Sequence, residues 1–187
     1  MHTPTQVHAD SLGDMPIAIR TAEPADAAAI LDVHTRARAT YYHGHLPDEV
    51  IAAQNKREPA LYEGIIRRPD RTTLCAELGG EVVGFLMIGP CHHPEPDAQV
   101  TSQLYQIHVA PDRFRLGVGS ALHDGALDVW RAAEVAAARL WVWDFNTRAR
   151  AFYTRRGWVA DGYEDPDTTR IGEHRQLGLR LHPITTA

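Results

Sequence analysis

Residues 107–122 read IHVAPDRFRLGVGSAL: an apolar β-branched run, a turn rich in arginine and glycine, and the opening of an apolar helical repeat. Gly117 and Gly119 flank the helix start, where backbone N–H groups lack partners within the helix and the helix dipole is positive. Such a place binds phosphate. Glycine lets the backbone approach the oxygens, Arg113 and Arg115 add charge, and Ser120 offers a hydroxyl one residue into the helix. An isolated Gly-x-Gly equally suits a tight turn between surface arginines, so the surroundings decide. The segment is no P-loop, since GxxxxGK followed by Ser or Thr is missing, and no dinucleotide fingerprint, since GxGxxG is missing.

Downstream, Val118, Leu122, Ala126, Val129 and Ala133 recur at spacings of four, four, three and four, a stripe expected to pack on a sheet. Upstream, TTLCAEL (72–78) and EVVGFLMIG (81–89), separated by Gly79-Gly80, predict an antiparallel hairpin. HHPEPDAQ (92–99) reads as a loop and SQLYQIHV (102–109) as the next strand. After the helix, LWVWDF (140–145) reads as a buried strand and NTRARAFYTRR (146–156) as a helix stopped by Gly157. WVADGY (158–163) and RQLGLRL (175–181) are the closing strands.

The first third is mostly helical after an opening strand, PIAIR (16–20). Pro24 takes a first helical position, and Ile30, His34, Ala37 and Tyr41 then share one face, with Ala27 and Leu31 beside it. Past the break HGHLP (43–47), a short helix starts at Asp48. Another opens at Glu58-Pro59 and carries Leu61, Ile65 and Ile66 until Pro69. Residues 1–15, polar and aperiodic, are expected to be a disordered tail, and residues 16–187 one domain.

With 187 residues, 44% hydrophobic and 23% charged, 14 glycines and 12 prolines, the chain has an ordinary globular composition. Nineteen basic against 24 acidic residues give a net charge of −5 with no long basic run, which argues against nucleic acid. No apolar run approaches the roughly 18 residues of a membrane span, and MHTPTQVHADSLGD lacks the basic and apolar regions of a secretory signal. The expectation is a cytoplasmic protein with no membrane association. Cys75 and Cys91 show no metal or disulfide spacing.

Taken together, IHVAPDRFRLGVGSALHDGAL and Asn146 to Trp158, which fits N-x-x-A-x-x-F-Y-x-x-x-G-F/W, resemble the GNAT superfamily of N-acetyltransferases. The opening IRTAEPADAAAI (19–30) resembles that family's first strand and helix. The resemblance implies an α+β fold: a mixed, mostly antiparallel central sheet of about seven strands flanked by helices, with two central strands splayed apart. It implies acetyl-CoA as co-substrate, a primary-amine acceptor, direct transfer in a ternary complex, and a homodimer. Fold analogy does not choose among acceptors, and a small molecule is the expectation; no metal is expected, because adjacent histidines point apart in an extended chain.

Residue by residue, the resemblance implies that the backbone of Ile107, His108 and Val109 serves the pantetheine arm and the acetyl carbonyl. The pyrophosphate would lie on Arg115, Leu116, Gly117, Val118, Gly119 and Ser120, with Arg113 adding charge. Asn146 would hold the pantetheine, and Tyr153, near the sulfur, would be the general acid for a thiolate of pKa about 8.5. Tyr41 and Tyr42 occupy the region where acceptor sites are lined, with Gln103, Tyr105 and Trp143 as further candidates.

Two positions depart from the family pattern. Phe114 stands three residues before the first glycine, where Gln or Arg is usual, and its flanking arginines are expected to substitute. Gln103 matches a position that is glutamate in many members, and an amide is no base. His108, Asp144, a loop histidine among His43, His45, His92 and His93, or a water chain stay open for that role. Strict alternation puts Gln103, Tyr105, Ile107 and Val109 on one strand face and Leu104, Gln106 and His108 on the other. The loss of glutamate also leaves room for an alternative, a catalytically silent acyl-CoA-binding regulatory module. Trp141 and Trp143, on one face of their strand, suit core packing, a dimer contact or an aromatic wall of an acceptor pocket.

Overall fold

The apolar runs and glycine turns build seven strands among the described residues, 16–54, 57–92, 97–165 and 173–184 of a computed structural model. They are β1 (Ala18–Thr21), β2 (Thr72–Leu78), β3 (Glu81–Pro90), β4 (Val100–Val109), β5 (Ala137–Trp143), β6 (Val159–Glu164) and β7 (Gln176–Leu181). The helices are α1 (Ala27–Tyr42), α2 (Asp48–Gln54), α3 (Pro59–Ile66), α4 (Val118–Ala132) and α5 (Thr147–Arg155). The expected tail, residues 1–15, lies outside the described residues, as does His93.

One sheet results, in the order β1-β2-β3-β4-β5-β7-β6, antiparallel except where β4 meets β5. Gly79-Gly80 closes the β2–β3 hairpin as read. On one face α4 seats Val118, Leu122, Ala126 and Trp130 against Leu74, Leu86, Leu104 and Leu140. On the other, Ile30 and Val33 of α1 join Tyr62, Cys75, Phe85 and Met87. Each fully buried aliphatic side chain there contributes about 1.5–3 kcal/mol relative to exposure. The expected α4 stripe holds through Val129, which packs half-buried against the same core, and fails only at Ala133. Ala133 is exposed just past the helix, where the buried face ends at Trp130.

Two irregularities of β4 shape everything that follows. First, β4 pairs with β5 only from Val100 to Leu104, against Ala137 to Leu140. Beyond Leu104, β4 stays with β3 up to Val109, while β5 follows β7 up to Trp143. The strands splay, and a parallel pair parts into a V. Second, Met87 faces Gln106 while Ile88 faces Leu104, so Tyr105 is the extra residue of a β-bulge.

The bulge corrects the alternation expected for this strand. Cross-strand partners share a face, so Gln106 opposite Met87 and His108 opposite Phe85 project toward α1 and α3. Leu104 opposite Ile88 and Ile107 opposite Leu86 project toward α4. Hence Leu104 shares a side with Ile107 and Val109, and Tyr105 shares one with His108.

Candidate active site

The V between β4 and β5 opens into a cleft of about 1160 Å³ that reaches from the α4 N-terminus to α1 and α5. At one end the backbone is shaped for an anion. Arg115 and Gly117 both take left-handed conformations, at φ 65° and 86°. Left-handed residues in such a turn let successive N–H groups gather on one side, the geometry of an anion-binding nest. Gly117 is also the N-cap of α4 and supplies no side chain to cap it, so the first-turn amides of Val118, Gly119 and Ser120 stay available. A side chain at Gly117 would be held in a conformation that costs about 1–2 kcal/mol.

Charge is gathered at the same end. Arg113 pairs with Asp112 at 3.1 Å. Phe114, the departure from the family pattern, carries the Arg148 guanidinium over its ring at 3.6 Å. The aromatic thus recruits a cation from α5 to the place where a charged or amide side chain was expected. Asn146 caps α5, its Oδ1 accepting from Ala149 N–H at 3.1 Å, which leaves its NH₂ end as a donor.

Midway along the cleft lies Tyr153, buried against Phe152 and Trp158. Burial raises its phenol well above the usual tyrosine range. Among the described residues its hydroxyl has no hydrogen-bond partner. Tyr41 sits close enough to couple electrostatically to it, and burial together with Tyr42 raises the Tyr41 phenol too.

The α1 side of the cleft is aromatic. Tyr42 accepts from Trp143 Nε1 at 3.2 Å, and Tyr41, Leu46 and Phe145 pack around the pair. Trp143 therefore serves as cleft wall and local core at once. His34 and His108 lie ring to ring at 4.5 Å. Desolvation pushes His34 down to about 2 and His108 down to about 3, with the neighbouring arginines adding repulsion. Both are neutral near pH 7 and too weakly basic to take a proton from an ammonium group.

Of the residues singled out from sequence, Tyr41, Tyr42, Gln103, Tyr105, Ile107, His108, Val109, Arg113, Arg115, Gly117, Val118, Gly119, Ser120, Trp143, Asn146 and Tyr153 all line the cleft. Leu116 does not. Its side chain points away at the turn and is 40% exposed, leaving only its backbone to the loop. Gln103 Oε1 accepts from His92 N–H at 3.2 Å, and Tyr105 donates its hydroxyl to the Pro90 carbonyl, so both brace the end of β3. Asp144 turns outside the cleft to His174, at 3.2 Å. His45 stacks on Phe145 at 4.4 Å rather than entering the cleft. Among the described residues no three His, Cys, Asp or Glu side chains gather as a metal site.

Sequence reasoning missed Arg38, Arg57, Gln106 and Arg148, which also line the cleft. For Arg38 a signal existed: it lies four residues from both His34 and Tyr42, on the inner face of α1.

The sequence profile described as Acetyltransferase (GNAT) family matches residues 31–158, more than half of the chain. The chain belongs to the GNAT acetyltransferase family. This GNAT protein is an acetyl-CoA-dependent acyltransferase. It is 27% identical over 150 residues to the "Probable N-acetyltransferase Rv2775" of Mycobacterium tuberculosis, covering 78% of this chain and 82% of the relative. It is 38% identical over 84 residues to the mycothiol acetyltransferase of Beutenbergia cavernae, but that match covers 45% of this chain and 25% of the relative. The GNAT fold is shared with PaiA N-acetyltransferase from Thermoplasma acidophilum, solved in complex with coenzyme A, at a TM-score of 0.74 and 19% identity, over 90% of this chain and 99% of that one.

The cleft fits the co-substrate on its own geometry. An uncapped helix start with two left-handed residues suits a diphosphate, and a strand edge released from pairing at residues 105–109 offers peptide groups to an extended arm.

Proposed function

We propose that this protein acetylates the primary amine of a small molecule by direct transfer, with acetyl-CoA and acceptor bound together. The observation that carries the reading is the single continuous cleft that joins the Gly117 loop, Tyr153 and the aromatic wall of α1. Acetyl-CoA brings a thioester whose carbonyl an amine attacks as CoA thiolate departs. Backbone amides at Arg115 to Ser120 hold the diphosphate, and the free edge of β4 orients the arm. Tyr153 stands where its O–H stabilises the departing sulfur. Its raised pKa is matched to this task, because the dry surroundings that hold the phenol protonated also raise the pKa of a thiolate formed beside it. An acyl-enzyme route has no support from the cysteines. Cys75 is fully buried with its thiol pushed up to about 12, and neither Cys75 nor Cys91 lines the cleft.

The test has two steps. Acetyl-CoA at 100 times its Kd should stabilise the protein by about 2.7 kcal/mol, roughly 5–10 °C in Tm. A panel of small amines should then release free CoA thiol, and silence across the panel despite cofactor binding would reject the reading.

The pH profile follows from the histidines. With His34 and His108 at about 2 and 3, neither titrates between pH 5 and 8, so both stay neutral throughout. The remaining group that titrates in the ascending range is the acceptor amine. At saturating acetyl-CoA, kcat/KM should rise about tenfold per pH unit up to the amine's own pKa. An inflection fixed near pH 6.5 for every acceptor would instead reveal a histidine base.

A further inference from the structure

We infer that the acceptor is an amine that also carries a carboxylate, and that Arg38 and Arg57 bind it. The inference rests on the acetyl-transfer reading of the same cleft and names the class of acceptor.

Although the chain has a net charge of −5, six arginines and one carboxylate, that of Asp165, line the cleft among the described residues. Arg113 and Arg115 flank the diphosphate end, and Arg148, over Phe114, lies between that end and the Tyr41–His108 region. Arg38 and Arg57 do not belong to it: they approach the His34–His108 pair from α1 and from two residues before α3, on the sheet face opposite α4.

Arg38 is the telling residue. It is only 6% exposed, yet it makes no ion pair or hydrogen bond among the described residues. Its guanidinium carbon lies over the Tyr42 ring, 4.8 Å from the centroid. A guanidinium cannot shed its proton, and contact with an aromatic face leaves its five N–H donors unused. Its neighbours cannot supply the counter-charge, since His34 and His108 are neutral. A buried, permanently charged fork without a protein anion is stable chiefly when a ligand anion completes it, and carboxylate geometry matches that fork.

Arg57 is fixed in a complementary way. It lies beside the Tyr62 phenol, and that phenol is hydrogen-bonded to His34 Nδ1. Arg57 also lines the cleft, so its guanidinium brings further N–H donors to that wall. Gln106 adds an acceptor: its buried Oε1 has no partner and lies on the same β4 face as His108. One side of the cleft thus offers donors to an anion and a carbonyl oxygen to an amine N–H.

The experiment compares α- and ω-amino acids with their matched carboxamides, reading CoA thiol release with wild type, Arg38→Gln and Arg57→Gln. Wild type should favour the carboxylates by at least about 30-fold in kcat/KM. Each variant should erase most of that preference while the KM for acetyl-CoA holds. Equal use of carboxamides, or an effect confined to the KM for acetyl-CoA, would overturn the inference. If Arg38→Gln fails to fold, the wild-type comparison and Arg57→Gln still decide. If no acceptor turns over, the thermal shift of CoA-saturated protein decides: carboxylates should stabilise it and carboxamides should not, and equal shifts overturn the proposal. A protein that ignores acetyl-CoA altogether would count against acetyl transfer itself, while the same carboxylate comparison, run without CoA, still judges this inference.

Discussion

Replacing Tyr153 by phenylalanine is expected to lower kcat roughly 10²- to 10⁴-fold, the usual contribution of a positioned proton donor. The substitution removes one oxygen that has no partner among the described residues, so the packing of the ring against Phe152 and Trp158 survives. The Kd for acetyl-CoA should therefore stay within about twofold of wild type and the Tm close to it, since the ring keeps its packing and no hydrogen bond among the described residues is lost. A loss restricted to kcat, at unchanged affinity, is the mark of an interaction made in the transition state. A second readout strengthens the test. Burial holds the phenol protonated well beyond the usual tyrosine range, so wild type should show no descending limb up to about pH 10, the free phenol's pKa. A fall in kcat of less than threefold would remove Tyr153 from the chemistry and leave sulfur expulsion to the backbone.

The parts of this site that sequence made legible are those whose chemistry is local. Gly117 answers a backbone requirement at one residue, and Asn146 caps the helix that begins at the very next one. Such demands leave a mark within a few positions of the chain. The hairpin at Gly79-Gly80 and the strand runs on either side were readable for the same reason. The β4 bulge was not, because nothing in Leu104-Tyr105-Gln106 distinguishes a continuous alternation from one with an inserted residue. Register is fixed by β3 across the strand, and a single extra residue moves Gln106 and His108 to the face of Tyr105.

Arg38 was hidden by a different effect. A charged residue on an amphipathic helix is read as solvent-facing, and that rule is sound for most arginines. It fails here because the buried face of α1 looks onto a cleft as well as a core. The histidines show the converse. His123 is fully buried within α4 and accepts from Trp158 Nε1 at 2.9 Å, with burial pushing it down to about 4. It packs as a neutral core residue. His34 and His108, similarly depressed, face space that a substrate can fill. Sequence alone could not separate these cases, since what differs is the strand or helix placed opposite each ring.

The largest effect on stability is expected beside the joined part of β4 and β5, where Arg139 pairs with Gln103. Arg139 on β5 and Asp161 on β6 form an ion pair at 2.8 Å with side chains only 6% and 9% exposed. The pair crosses β7, which lies between them, and it does so over Gly178: a Cβ there would sit 2.4 Å from Asp161 Oδ1. The arginine also stacks on Trp141 at 4.5 Å, which ties the pair to the strand that bounds the V. Replacing Asp161 by alanine removes a buried charge-assisted hydrogen bond from Arg139 and should cost about 1.5–3 kcal/mol, which is roughly 3–12 °C in Tm for a chain of this size. Added salt should change that difference little, because a buried pair is poorly screened. Exchanging both partners, as Arg139→Met with Asp161→Leu, should recover most of the loss, since desolvating the pair offsets much of its attraction. Thermal melts of the single and double variants measure both terms. Should Asp161→Ala melt within 2 °C of wild type, the crossing pair would be incidental, and the position of Trp141 along the cleft would have to be held by β7 packing alone.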